Sequence, residues 1–317
     1  MGLPWLAAAS PWVAPNPVDA LLMAAPPAAP IDAQPAVVLL QAWVFRNPQQ
    51  AKAELERLAH NLPNAPLLAC DLEGGRVNPL RCFSRLHAMP PAARMGLSDP
   101  AQTRGWGARA GQQLRELGLG LNLGPVVDVG ADGHLARQFR LYSDDPARVV
   151  AHARAYVDGL GGEGVGAILK HFPGQGRAVT DPDRVATVID ATASELRTDQ
   201  ALFRQVPAAG IMLSNATYPS FDPRPAPQAP SIVSLARRFT RGVVMTDDLA
   251  RLGRSAIDEA VLRDAFIAGA DLLVTSVRLD HVLPTFRRVV GRLLEQRPAL
   301  WSRVEASATR IAALQAR

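Results

Sequence analysis

The sequence predicts an α/β fold, a TIM-like (β/α)8 barrel with an irregular first β/α unit. Three observations predict it. Short β-rich apolar runs recur along the chain, amphipathic stretches separate most of them, and polar residues gather immediately after the runs. The runs are apolar throughout rather than alternating, as parallel strands buried on both faces must be. Alternation repeated about eight times is the pattern of a closed barrel, with an open doubly wound sheet as the runner-up.

Residues 21–24 form the first predicted strand. Residues 26–35 follow, too short and too rich in Pro and Ala for a helix, and make the irregular unit. The second strand is 36–44, with a helix at 48–62. The third is 67–71, then a helix at 103–117 and the fourth strand at 121–127. A helix at 146–160 leads to the fifth strand at 166–170, and the sixth lies at 210–214. Residues 215–230 carry five prolines and are predicted as an irregular excursion. The seventh strand is 243–246, followed by a helix at 257–268, the eighth strand at 272–275 and a helix at 280–294. Gly118, Gly161 and Gly269 read as glycines that end helices.

Composition narrows the function classes. The chain has 317 residues, 48% hydrophobic and 20% charged, a balance that supports a large core and argues against disorder. A single barrel domain over 1–317 is expected, its core spanning about 18–294. Two cysteines, Cys70 and Cys82, exclude a disulfide scaffold and a Cys-rich zinc site. His87, His134 and His281 show no ligand spacing, so neither a metal nor another cofactor is expected. The net charge of +5 does not point to nucleic acid. Only Lys52 and Lys170 are lysines, the arginines are dispersed, and no basic run with interleaved aromatics occurs. No apolar run reaches the roughly 18 residues that cross a bilayer, so no membrane is expected. The first seventeen residues are apolar, but the first basic residue is Arg46. The positive start of a secretory signal is missing, and a cytoplasmic location is expected.

Three segments carry chemistry. Residues 70–77 read Cys-Asp-Leu-Glu-Gly-Gly-Arg-Val. Asp71 and Glu73 leave a strand into a Gly-Gly turn, where backbone can approach a ligand and a carboxylate can take two sugar hydroxyls; a tight turn with Glu73 paired to Arg76 is the plainer alternative. Residues 170–176 read Lys-His-Phe-Pro-Gly-Gln-Gly, a cation and an imidazole that leave a buried strand into a Pro/Gly loop and can donate to hydroxyls of a neutral polar ligand. Residues 243–249 read Val-Val-Met-Thr-Asp-Asp-Leu. A carboxylate at a barrel mouth, ringed by donors, is a good nucleophile toward an anomeric carbon, while Asp248 alone fits a helix cap.

Together these residues resemble glycoside hydrolase family 3, specifically its single-domain bacterial β-N-acetylglucosaminidases. The resemblance covers roughly residues 18–294 and rests on 71–77, 121–129 (LNLGPVVDV), 136–139 (ARQF), 170–176, 210–219 (GIMLSNATYP), 245–249 and 268–274 (AGADLLV). It implies a TIM-like barrel and retaining hydrolysis of terminal β-linked N-acetylglucosamine-type sugars through a covalent glycosyl–Asp intermediate. The implied partner is a carbohydrate, with cell-wall glycan as a candidate source, acted on by a monomer. Asp247 falls on the family's nucleophile, and Asp71, Arg137, Lys170 and His171 fall on residues that hold the sugar.

The single-domain members take their acid/base from an Asp-x-His pair on the loop after Lys-His-Phe-Pro-Gly, and here the chain departs from the pattern. Gln175 stands where the family has His, and Arg177 where it has Asp. Asp181 matches the Asp of the pair, and Asp183 occupies the position of its His. A further sugar-binding Arg falls on Pro79, with Arg81 two residues on. Asp183 is therefore the candidate proton donor, its pKa raised by Asp181 nearby. The alternative is a catalytically impaired, sugar-binding homologue.

Overall fold

The computed structural model describes residues 17–62 and 64–315; the N-terminal segment weighed above as a signal lies outside them, apart from Pro17. The barrel strands are β1 (Leu22–Ala25), β2 (Val37–Leu39), β3 (Leu67–Cys70), β4 (Leu119–Asn122), β5 (Gly166–Phe172), β6 (Gly210–Leu213), β9 (Val243–Asp248) and β10 (Leu272–Arg278), with the hairpin strands β7 (Thr217–Tyr218) and β8 (Asp222–Pro225) between them. The eight barrel strands close in the order β1-β10-β9-β6-β5-β4-β3-β2, and every pairing in the ring is parallel. β1, β2 and β6 are buried at every position, which is why these strands read as unbroken apolar runs.

The helices are α1 (Pro48–Asn61), α2 (Ala92–Met95), α3 (Pro100–Glu116), α4 (His134–Arg137), α5 (Pro146–Gly161), α6 (Ala193–Gln205), α7 (Pro230–Arg237), α8 (Glu259–Ala268), α9 (Leu279–Gln296) and α10 (Leu300–Gln315). Three of them begin with an Asx cap followed by proline. Asn47, Asp99 and Asp145 accept a backbone N–H of the first turn ahead of Pro48, Pro100 and Pro146. The cap satisfies an orphan donor, and the proline needs no N–H at that position. No helix separates β1 from β2, as the Pro/Ala-rich stretch predicts.

Four sequence boundaries need correction. The run 36–44 is not one strand: β2 ends at Leu39, and Ala42–Phe45 forms a 3-10 turn that buries Val44 and Phe45. Apolarity alone cannot separate a buried strand from a buried helical turn. The fourth strand lies earlier, at Leu119–Asn122, because Pro125 has no N–H to extend the ladder. Gly161 is the last residue of α5 rather than a cap beyond it, and the left-handed turn comes at Gly164. Gly269 does end α8 in the left-handed region, with φ of 101°, a conformation that is costly for a residue with a Cβ. Finally, α10 buries Val304, Ile311 and Leu314, so the core runs past residue 294.

α10 is anchored by Asp271, which is fully buried at the start of β10. One of its oxygens accepts the Val244 N–H at 2.8 Å and the Arg237 guanidinium; the other accepts Ser307 Oγ and Arg310 Nε, at 2.8 and 2.9 Å. Removing one partner of a buried ion pair strands the other charges. Asp271→Ala is therefore expected to lower unfolding stability by about 3 kcal/mol, read by urea denaturation; an unchanged urea midpoint contradicts this anchoring.

Candidate active site

The predicted polar residues converge on one cavity of about 710 Å³ at the C-terminal mouth of the barrel. Asp71, Lys170, His171, Asp183, Asp247 and Asp248 all line it. Each except Asp183 emerges at or just past a strand end, where parallel strands deliver side chains to a common rim.

Two buried ion networks fix the floor. Lys170 Nζ lies 2.5 Å from Asp71 Oδ1 and 2.7 Å from Glu73 Oε1. Glu73 is in turn gripped by Arg140 through two bonds of 2.8 Å. Burial alone would raise the Glu73 pKa, but Arg140 and then Lys170 overcome it and hold the carboxyl well below its ordinary range. Burial alone would lower the Lys170 pKa, but Asp71 and Glu73 overcome that and keep the ammonium charged. Glu73 therefore pairs with Lys170 and Arg140, not with Arg76 as the turn alternative supposes.

The second network orients the imidazole. Buried Asp128 accepts His171 Nδ1–H at 2.7 Å and His171 N–H at 3.0 Å with one oxygen, and Gln175 N–H at 2.6 Å with the other. This assigns the proton to Nδ1 and leaves Nε2 for the cavity. Gln175 is absorbed into the scaffold: its Oε1 accepts Ser214 Oγ–H at 2.7 Å.

Asp247 and Asp183 face each other electrostatically. Asp247 Oδ1 accepts the Asp248 N–H at 2.8 Å. Asp183 Oδ1 accepts Asn215 Nδ2–H at 3.2 Å. Burial, and next the charge of Asp183, push the Asp247 pKa well up. Asp183 is open to solvent by surface area, yet its carboxyl lies in a crowded mouth, and that desolvation raises its pKa too; Asp181 contributes only a smaller push in the same direction. Because the charge of Asp183 opposes ionisation of Asp247, the titration of the two belongs to the pair. Asp248 plays a different part, capping the turn after β9 and accepting Ser276 N–H at 2.8 Å.

Two predicted residues are placed elsewhere. Asp181 is not part of the cavity lining: it stands behind Asp183, accepts the Asp183 N–H at 3.1 Å and lies 3.4 Å from His134 Nε2. Arg137 also points away from the cavity, its guanidinium bonded to the carbonyls of Asp132 and Val179. Of these two neighbouring arginines, Arg137 and Arg140, it is Arg140 that lines the cavity. Phe139, with φ of 60°, turns the chain between them, so two arginines three residues apart face opposite ways. Arg81, weighed as a substitute for an arginine at Pro79, does line the cavity, held by the carbonyls of Asn78 and Arg76.

Residues 36–314 match the family model described as the glycosyl hydrolase family 3 N terminal domain. The chain belongs to glycosyl hydrolase family 3. A β-hexosaminidase of Stenotrophomonas maltophilia is 36% identical over 200 residues, covering 59% of this chain and 59% of that protein. A β-hexosaminidase of Xylella fastidiosa is 34% identical over 227 residues, covering 65% of this chain and 66% of that one. The match thus spans less than two thirds of these relatives' length. The crystal structure of a β-N-acetylhexosaminidase from Beutenbergia cavernae superposes with a TM-score of 0.84 at 28% identity, over 95% of this chain and 98% of that one. Within this family 3 barrel, Arg177 has found a new partner: its Nε lies 3.4 Å from Asp199 on α6. Asp199 is almost wholly buried, and burial pushes its pKa up to about 6.

Proposed function

We propose that this protein is a retaining glycoside hydrolase that removes terminal β-linked N-acetylglucosamine-type sugars. The observation that carries the reading is the pair Asp247 and Asp183 on one cavity that also presents Asp71, Lys170 and His171, groups suited to sugar hydroxyls. The family membership and the names of the relatives support the same chemistry. Asp247, as carboxylate, attacks the anomeric carbon while protonated Asp183 gives its proton to the glycosidic oxygen. The C–O bond to the aglycone breaks, and a glycosyl–Asp247 ester forms. Asp183, now a carboxylate, takes a proton from water. The water oxygen attacks the anomeric carbon, frees Asp247 and leaves the sugar with retained configuration. Lys170, Asp71 and His171 hold hydroxyls of the bound sugar, with Arg140 and Asp128 keeping them in place through Glu73 and the His171 ring.

The rim adds a preference. Arg46, Arg76 and Arg81 line the cavity, and among the described residues no carboxylate forms an ion pair with any of them. Unpaired guanidinium groups suit a carboxylate on the aglycone, which favours an acidic cell-wall fragment over a neutral oligosaccharide.

An aryl N-acetyl-β-glucosaminide, neutral N,N′-diacetylchitobiose and a disaccharide with a carboxylated reducing sugar test both parts. All three should be cleaved, the acidic one with the lowest KM at low salt. Binding of N-acetylglucosamine in calorimetry without cleavage of any substrate would reject hydrolysis in favour of a sugar-binding barrel. Equal KM values for the two disaccharides would reject the rim preference.

A further inference from the structure

The loop that carries Asp183 has few apolar contacts of its own. Between residues 177 and 186 only Ala178 and Pro182 are buried, while Val179 and Val185 are 71% and 49% exposed. With so little apolar area removed from water, something else must hold the loop over the cavity.

The neighbouring segment that ends in α4 does so at successive points. The His134 N–H donates to the Ala178 carbonyl at 2.6 Å. The Arg137 guanidinium donates to the Val179 carbonyl, and is itself braced by a 2.6 Å bond to the Asp132 carbonyl. His134 Nε2 lies 3.4 Å from Asp181 Oδ2, and Asp181 Oδ1 accepts the Asp183 N–H. Behind these contacts the two backbones run against each other: a Cβ on Gly133 would overlap the Gly176 carbonyl, and one on Gly176 would overlap that of Val129. A chain of contacts thus runs from α4 through residues 178, 179 and 181 to the backbone of Asp183.

We infer that Arg137 and His134 are positioning residues, a clamp by which α4 holds the loop so that Asp183 faces the glycosidic oxygen. The inference rests on the hydrolase reading above and gives Arg137 a place in the proton-transfer step instead of a contact with the sugar. A clamp of this kind acts only where the acid is needed. Loosening it lowers the fraction of molecules with Asp183 in reach and leaves the sugar-holding groups on β3 and β5 untouched.

The test measures kcat and KM for wild type, Arg137→Ala, Arg137→Lys and His134→Gln, on diacetylchitobiose and on an aryl glycoside with a good leaving group. Hydrogen exchange over residues 176–183 is followed in the same proteins. Arg137→Ala and His134→Gln should each lose roughly three- to tenfold in kcat on the disaccharide, the range expected for one or two polar contacts. They should lose less on the aryl substrate, keep KM within about twofold, and exchange faster in the loop at unchanged global stability. Arg137→Lys, which keeps one donor, should recover part of the loss. A raised KM with unchanged kcat would make Arg137 a sugar contact and overturn the clamp, as would wild-type kinetics on both substrates. If wild type cleaves neither substrate, the hydrolase reading falls on its own. The exchange data still decide the clamp, and unchanged loop exchange in His134→Gln or Arg137→Ala refutes it.

Discussion

Asp247→Asn should reduce turnover of every substrate by roughly 10⁴-fold or more, because it removes the atom that forms the covalent intermediate. The loss should be independent of the leaving group, since the aryl and the sugar aglycone leave from the same attacked carbon. It should also come with little loss of stability. Ionisation of the half-buried Asp247 carboxyl is opposed by desolvation and by the charge of Asp183, so a neutral amide of the same size removes that penalty. A stable, sugar-binding, inactive variant is the expected product. A variant that keeps more than about a hundredth of wild-type kcat on the aryl glycoside would remove Asp247 from the nucleophile's role.

Asp183→Asn should behave differently. General acid catalysis is worth about 10²–10⁴-fold when the leaving group must be protonated. The variant should lose that much on diacetylchitobiose and far less on an aryl glycoside whose phenolate leaves unaided. The pH profile provides the second signature. The Asp183 pKa is raised, chiefly by burial. Its proton is therefore kept to higher pH than an ordinary carboxyl keeps it, and kcat/KM should fall on the basic side as that proton is lost. The acid side should fall as the pair takes up a second proton and Asp247 is neutralised. Asp183→Asn should erase the basic limb and leave the acid limb near its wild-type position, because on that limb Asp247 faces a neutral neighbour in both proteins. An unchanged bell, or an equal loss on both substrates, would mean that some other group donates the proton.

Much of this architecture is legible from local pattern. Parallel strands buried on both faces must be apolar at each position, so the runs read at 21–24, 210–214 and 243–246 announce themselves. The residues that end such strands are carried to one rim by topology alone, and Lys170, His171 and Asp247 could be placed there without knowledge of contacts. Boundaries failed where apolar burial continued in another backbone form, as at Val44 and Phe45, or where a proline cut a ladder short, as at Pro125. The site failed in the same spirit at Arg137 and Arg140. Sequence singles out Arg137 alone, but the left-handed turn at Phe139 brings Arg140 to the cavity, and nothing in an aromatic residue signals that conformation. The ties between His134 and Asp181 and between Arg177 and Asp199 join separate segments, so no spacing rule reports them. Arg177 and Gln175 read as losses from the family pattern, whereas in the folded chain each is rebonded, to Asp199 and to Ser214.

The proposed hydrolysis runs through a covalent glycosyl ester on Asp247. Wild type incubated with 5-fluoro-N-acetyl-β-glucosaminyl fluoride, whose ester forms faster than it hydrolyses, tests it most directly by intact-protein and peptide mass spectrometry. One added fluorosugar per chain is expected, mapped to the peptide carrying residues 243–249 and absent from Asp247→Asn. An adduct on another carboxylate, or turnover with inverted anomeric configuration and no adduct, would contradict it.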